Sequence, residues 1–310
     1  MNTLSRFSFV TLVGALVLAG APAAAGESPA PPTMSSVLEA SQPSDWVPLD
    51  PANTLYMTLP RGRVVIRLAP DFAPRHVDNL KKLVAEGYFD GLAIVRSQEN
   101  YVVQWGDPLA AEEGRREMKQ ALPALEPEFD RGRDEDVRFT PLEDGDVYAP
   151  QVGFVDGFPV AADRDRVWLA HCHGMLGAGR AESAASGSGA ELYAVIGHSP
   201  RHLDRNVTLL GRVVLGIEVL STLPRGTGGL GFYEDPAEHI EIESIRMGSE
   251  LPAGERAALE ILRTDTPTFR QLIQARRTRT ESWFVHPTGR VSLCNVPLPV
   301  REIAPAEPAT

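Results

Sequence analysis

Two side chains stand out by type and by neighbourhood. Arg96 sits in the apolar run 92–96, and Gln104 ends the run 101–104. Side chains alternate between the two faces of a strand, so Arg96 shares a face with Ile94 and Gln104 with Val102. A guanidinium is planar, permanently charged and rich in donors. Beside an amide and among apolar residues, it can hold directed hydrogen bonds on a group brought up to that surface. Neither group is a nucleophile. No G-x-S-x-G, H-E-x-x-H or strand–helix GxGxxG pattern occurs in the chain.

Metal chemistry is the competing possibility. The stretch VWLAHCHG (167–174) reads as a strand with His171 and His173 on one face and Cys172 on the other. Such a His-x-His pair can hold zinc or copper, yet no clear third ligand lies nearby. Residues 130–165 add Asp134, Glu135, Asp136, Glu143, Asp144, Asp146 and Asp156. These do not form the Asp-x-Asp-x-Asp-Gly run with a closing Glu that a calcium loop uses, and a solvated acidic loop is the reading adopted.

Short strands and one good helix must position Arg96 and Gln104. Residues 54–59 and 64–68 flank Pro60-Arg61-Gly62-Arg63 as a hairpin. Residues 70–87 read as a helix, with Pro74 in the first turn, Val77, Leu80, Leu83 and Val84 at helical spacing, and Gly87 at the C-terminal cap. The Asp90-Gly91 turn leads into the strands 92–96 and 101–104. Further strands are expected at 191–196, 208–213 and 239–246, with a short helix at 215–223. Helices are also expected at 110–120, 253–262 and 267–276, and a hairpin within 282–300.

These elements resemble, in order, those of the cyclophilin family of peptidyl-prolyl isomerases. The resemblance rests on Ala73-Pro74…Val77-Asp78-Asn79-Leu80, Gly87-Tyr88-Phe89-Asp90-Gly91, Ile94-Val95-Arg96-Ser97 and Gln104-Trp105-Gly106-Asp107-Pro108. A second block, Leu203-Asp204 followed by Leu210-Gly211-Arg212-Val213-Val214-Leu215-Gly216, agrees. Together they span about 53–247. The resemblance implies a mainly β fold: a closed antiparallel barrel of about eight strands capped by two α-helices. To this the chain adds an acidic insertion (109–166) and a small helical C-terminal extension (248–310) docked on the barrel. It implies catalysis by Arg96, with Gln104 supporting it and Tyr101, Val102, Tyr193 and Leu203 walling a proline pocket. Ala170-His171-Cys172 would line the peptide groove, and Glu191 and His202 would stand at altered groove positions. Counting back from Leu203-Asp204 would put Leu192 and Ala194 in place of Glu191 and Tyr193; Tyr193 is preferred because the alternative floors the pocket with a methyl group. Val95 and Val207 replace histidines of the family pattern. No cofactor or metal is implied. The expected partners are proline-containing unfolded or flexible polypeptides, met by a monomer.

Composition narrows the setting. The 310 residues carry a net charge of −11, which argues against nucleic acid. Residues 1–25 have the positive start, short apolar run and Ala23-Ala24-Ala25 site of a secretory signal peptide, and no later run is long enough to span a bilayer. Export, most simply to a bacterial periplasm, is the expectation. Residues 26–48, rich in Pro, Ala and Ser, read as a disordered arm. The only cysteines, Cys172 and Cys294, suit either one disulfide or two separate buried thiols.

Overall fold

In the computed structural model, which describes residues 32–110 and 113–303, the alternating strands form a strongly curled, nine-stranded antiparallel sheet. From one edge to the other its strands are Ile240–Glu241, Ala93–Ser97, Val102–Gly106, Leu192–Val195, Met175–Ala178, Leu209–Leu215, Gly62–Leu68, Thr54–Leu59 and Ser244–Met247. The two edge strands are neighbours in the chain, separated only by Ile242 and Glu243. Ile240 pairs with Ile94, and Ser244 with Thr58, so one short segment ties both edges together.

The helix Pro74–Ala85 lays Val77, Leu80, Leu83 and Val84 into the core of this curl, against Ile94, Val103 and Trp105. Each fully buried leucine there contributes roughly 1.5–3 kcal/mol. The helix ends as its sequence dictates. Gly87 takes φ 68°. Its N–H donates to Val84 O at 3.0 Å, and that of Tyr88 to Leu83 O at 2.9 Å, which satisfies carbonyls that a helix end otherwise leaves open. The second capping helix, Ile217–Ser221, is only 5 residues long.

Outside the curl a second core has formed. A five-stranded antiparallel sheet runs Arg131–Gly132, Arg166–Leu169, Phe158–Ala162, Gln151–Val155, Thr140–Leu142. A three-stranded sheet joins Trp46–Pro48, Leu259–Leu262 and Val300–Glu302. The helix Pro267–Thr278 packs into the same core, started by the Thr266 hydroxyl accepting from the Phe269 N–H at 3.2 Å. Phe154, Phe158, Val160, Phe269 and Leu272 are its buried centre, with Phe154 and Phe269 edge to face at 5.0 Å. Ala69, Phe72, Met175 and Leu209, which belong to the curled sheet and its connections, share this core.

This second core corrects several expectations. The acidic insertion is not a solvated loop: Gln151–Val155 and Phe158–Ala162 form a hairpin, and its carboxylates lie outside those two strands. The hairpin turns on Asp156 and Gly157, both at positive φ (45° and 73°), the conformation a two-residue hairpin loop requires. No helix is present among the described residues of 110–120. The expected helix at 253–262 is a 3-10 turn, Ala253–Glu255, followed by the strand Leu259–Leu262, and in place of the expected hairpin within 282–300 stand the 3-10 turn Leu293–Asn295 and the start of the strand Val300–Glu302. The described part of the expected disordered arm is ordered. Met34–Glu39 is helical, Val37 is buried, and Trp46–Pro48 pairs with Leu259–Leu262. The signal peptide, residues 1–25, lies outside the described residues.

Cys172 and Cys294 are joined as a disulfide across a sequence separation of 122. A cross-link closing so long a loop removes unfolded-state entropy worth about 4–5 kcal/mol in the loop-closure account.

Candidate active site

Arg96 and Gln104 face each other across the strands Ala93–Ser97 and Val102–Gly106. Their pairing depends on an irregularity that alternation does not show. Ile94 pairs with Trp105, yet Arg96 pairs with Gln104, so Val95 is an extra residue in its strand. A bulge of this kind re-aims the side chain that follows it. Ile94 therefore points into the barrel core with Trp105, while Arg96 turns to the opposite face. The expected shared face of Arg96 and Ile94 is corrected on that ground. Val102 and Gln104 do share a face.

An open cavity of about 300 Å³ lies on that face, lined by Arg96, Tyr101, Val102, Gln104, Tyr193, Leu203 and Val207, with Gly179 and Arg180 at its side. Tyr193 comes from the next strand, where it pairs with Gln104. Val102, Tyr193 and Val195 form a small buried cluster of their own, with Tyr101 and Val207 packed against it.

The polar groups are tightly ordered. Arg96 donates from Nε to Leu230 O at 2.7 Å, and from its terminal nitrogens to Gln104 Oε1 at 2.9 Å and to Gln98 Oε1. Its guanidinium lies 5.5 Å from the Tyr101 ring centre and 5.1 Å from that of Phe232. Burial pulls its pKa below the usual arginine value, although a guanidinium stays charged throughout the working range. Glu191 does not pair with Arg96. Its carboxylate accepts from Gln104 Nε2, so the amide stands between the two charges. Gln104 is thereby locked, its oxygen toward Arg96 and its nitrogen toward Glu191.

Tyr193 turns its hydroxyl away from the cavity, 2.8 Å from Nε2 of the fully buried His171. Burial pushes the phenol pKa up and the imidazole pKa down, so both are neutral. Gly177 opposite makes room for the ring: a Cβ there would stand 2.2 Å from Tyr193 Cζ.

Three expected groove residues lie elsewhere. Ala170, His171 and Cys172 are buried behind the cavity, not on its wall. The strand ends at Leu169, the His171 main-chain N–H is taken by Asp204 at 2.9 Å, and Cys172 is drawn off by Cys294. The same geometry removes the expected His-x-His face. Both His171 ring nitrogens have protein partners, and no group of three metal-ligating side chains occurs among the described residues. His202 is exposed and stacks on Tyr101 at 6.5 Å. Sequence reasoning missed Gln98, Leu230 and Phe232 around Arg96. The Gly-rich run 226–231 marks a turn, but nothing local shows that it folds over residue 96.

The model of the family described as "Cyclophilin type peptidyl-prolyl cis-trans isomerase/CLD" matches residues 54–247, the span that carries every wall of the cavity. The chain belongs to the cyclophilin family. Among curated cyclophilin relatives, a protein of Brucella suis biovar 1 (strain 1330) named "Probable peptidyl-prolyl cis-trans isomerase" is 45% identical over 58 residues, 19% of this chain. The match spans only 30% of that relative's length. A solved cyclophilin, AquaCyp293 from Hirschia baltica, superposes with a TM-score of 0.67 at 28% identity, covering 87% of this chain and 97% of its own. That likeness therefore reaches beyond 54–247, into the segments that build the second core.

Proposed function

We propose that this cyclophilin is a peptidyl-prolyl cis-trans isomerase acting on unfolded or flexible polypeptides. Rotation about a peptide bond is opposed by about 18–20 kcal/mol, because the nitrogen lone pair is conjugated with the carbonyl. A catalyst needs only to bind the twisted amide better than the planar one. Val102, Tyr193 and Leu203 would seat the proline ring. Arg96 would donate to the prolyl nitrogen as its lone pair localises, a bond that strengthens only on twisting. The observation that carries this reading is a half-buried guanidinium, fixed on Gln104, at the edge of a cavity walled in part by Val102, Tyr193, Leu203 and Val207. The reading extends to export, supported by the Cys172–Cys294 bridge, since such bonds persist in oxidising compartments.

One observation favours a second reading, a peptide-binding or chaperone module with weak turnover. Three of the five Arg96 N–H groups already have protein acceptors in Leu230, Gln104 and Gln98, which leaves a substrate at most the second N–H of each terminal nitrogen. A protease-coupled cis/trans assay on a short X-Pro peptide decides between the two. Isomerisation predicts a rate above background that falls about 100-fold or more in Arg96→Ala, the usual cost of removing one electrostatic donor. A background rate with retained peptide binding establishes the module instead, and an undiminished rate in Arg96→Ala removes Arg96 from the mechanism.

A further inference from the structure

We infer that Asp146 and Arg201 are positioning residues for the proline pocket, so that the insertion is a working part of the site. The inference rests on the isomerase reading.

A continuous line of buried hydrogen bonds runs from the insertion to the cavity floor. Both Asp146 carboxylate oxygens accept from Arg201, at 2.9 and 3.2 Å, and the two side chains are only 9% and 5% exposed. Arg201 Nε donates to Asp204 Oδ2 at 2.6 Å. The other Asp204 oxygen accepts from the His171 main chain at 2.9 Å and lies 3.0 Å from its ring Nδ1. Nε2 of that ring meets the Tyr193 hydroxyl. One protonation pattern satisfies every group: neutral His171 keeps its proton on Nδ1, toward the carboxylate, and Nε2 accepts from the phenol. Asp146 is itself anchored, since its Oδ1 accepts from the N–H groups of Tyr148 and Ala149 at 2.8 and 3.1 Å. The Tyr148 ring lies against the guanidinium, 5.2 Å from centre to carbon.

The same arginine controls the wall. Arg201 opens the 3-10 turn Arg201–Leu203, whose last residue lines the cavity and whose middle residue stacks on Tyr101. Loss of Asp146 would leave Arg201 buried with one carboxylate instead of two. Any shift it makes reaches the floor through Asp204 and His171, and the wall through its own turn. Arg96 and Gln104 are outside this line of bonds. The damage therefore falls on the seating of the proline ring rather than on the donor.

The test measures KM and kcat separately on an X-Pro peptide, with the full chain and with melting temperature followed in parallel. In Asp146→Ala, KM is expected to rise about ten-fold while kcat stays within about three-fold, the signature of lost binding common to ground and transition states. Glu143→Ala, an exposed carboxylate in the same insertion, should leave both unchanged. A folded Asp146→Ala with wild-type KM overturns the inference, as does a variant that is merely less stable. Should that variant fail to fold, Arg201→Lys decides, because an ammonium cannot hold a carboxylate in a two-pronged bond; a wild-type KM there overturns the inference. An active wild type with either negative result leaves the isomerase reading standing. An inactive wild type overturns both.

Discussion

The two sides of the cavity are held by different means. Arg96 and Gln104 come from adjacent strands and stand only 8 positions apart in the chain, with the barrel core of Ile94, Val103 and Trp105 behind them. Tyr193 and Leu203 face a backing assembled from distant segments: His171, Asp204, the insertion through Asp146, and the C-terminal segment through Cys294. The charged pair of the first side is local, although Leu230 and Glu191 bond to it from distant segments, and it supplies the charge. The second is non-local and supplies the shape. On this contrast, damage in the insertion or the C-terminal segment is expected to reach the pocket by its floor, not by its donor.

The contrast breaks most severely where the second core is emptied. Phe154→Ala removes the centre of that core, and chemical denaturation should show a loss of about 3–5 kcal/mol. The Arg96–Gln104 side should remain folded longest under hydrogen exchange. Cys294→Ala should cost about 2–5 kcal/mol by the same denaturation measurement, the usual range for removing a native disulfide. If it also raises KM, the covalent tie supports the floor; an unchanged KM would restrict its role to stability. Arg96→Ala sharpens the comparison from the other side. It should lose about 100-fold in kcat/KM, while costing less stability than Phe154→Ala, since it removes a half-buried hydrogen-bonded side chain and not the centre of a core. A large loss of stability there would mean that the donor side is not independently held.

An acid step probes the same contrast through pH. Glu128, in the insertion, accepts from the N–H groups of Arg75 and His76 at the first turn of the Pro74–Ala85 helix, and from the His76 ring. Burial alone would raise its pKa. The hydrogen bonds from His76 and Arg75 overcome this and lower it from 4.5 to about 2. A carboxylate whose pKa is lowered by folding stabilises the native state above its unfolded value. This contribution is therefore complete above pH 4.5 and is lost as pH falls toward about 2. Glu128→Gln should flatten that part of the stability–pH curve, and denaturation at a series of pH values checks it.

Much of the barrel was legible because its signals are local. The Pro74–Ala85 helix carries its own start, stripe and glycine stop, and the strands around Arg96 and Gln104 alternate within a few residues. The bulge at Val95 was not legible, because one additional residue in a strand leaves no mark in its composition. The insertion was misread for a different reason. Its carboxylates drew attention, although the apolar runs on either side of Asp156-Gly157 already spelled a hairpin. Leu259–Leu262 could pass for a helical turn until partners from residues 46–48 and 300–302 flank it. The Arg96 bond to Leu230 spans 134 positions, beyond the reach of spacing rules, and the Phe232 contact comes from the same remote loop.

The Cys172–Cys294 bond makes a covalent ring of the intervening chain, and that ring contains Tyr193, Leu203, the Leu230 loop and the segment 240–247 that ties the barrel's edges. A protease that severs one peptide bond anywhere within the ring still leaves a single molecule until the bridge is reduced. The exposed bend at Trp283 and Val285 is thus a place where a nick can be tolerated without shedding a fragment.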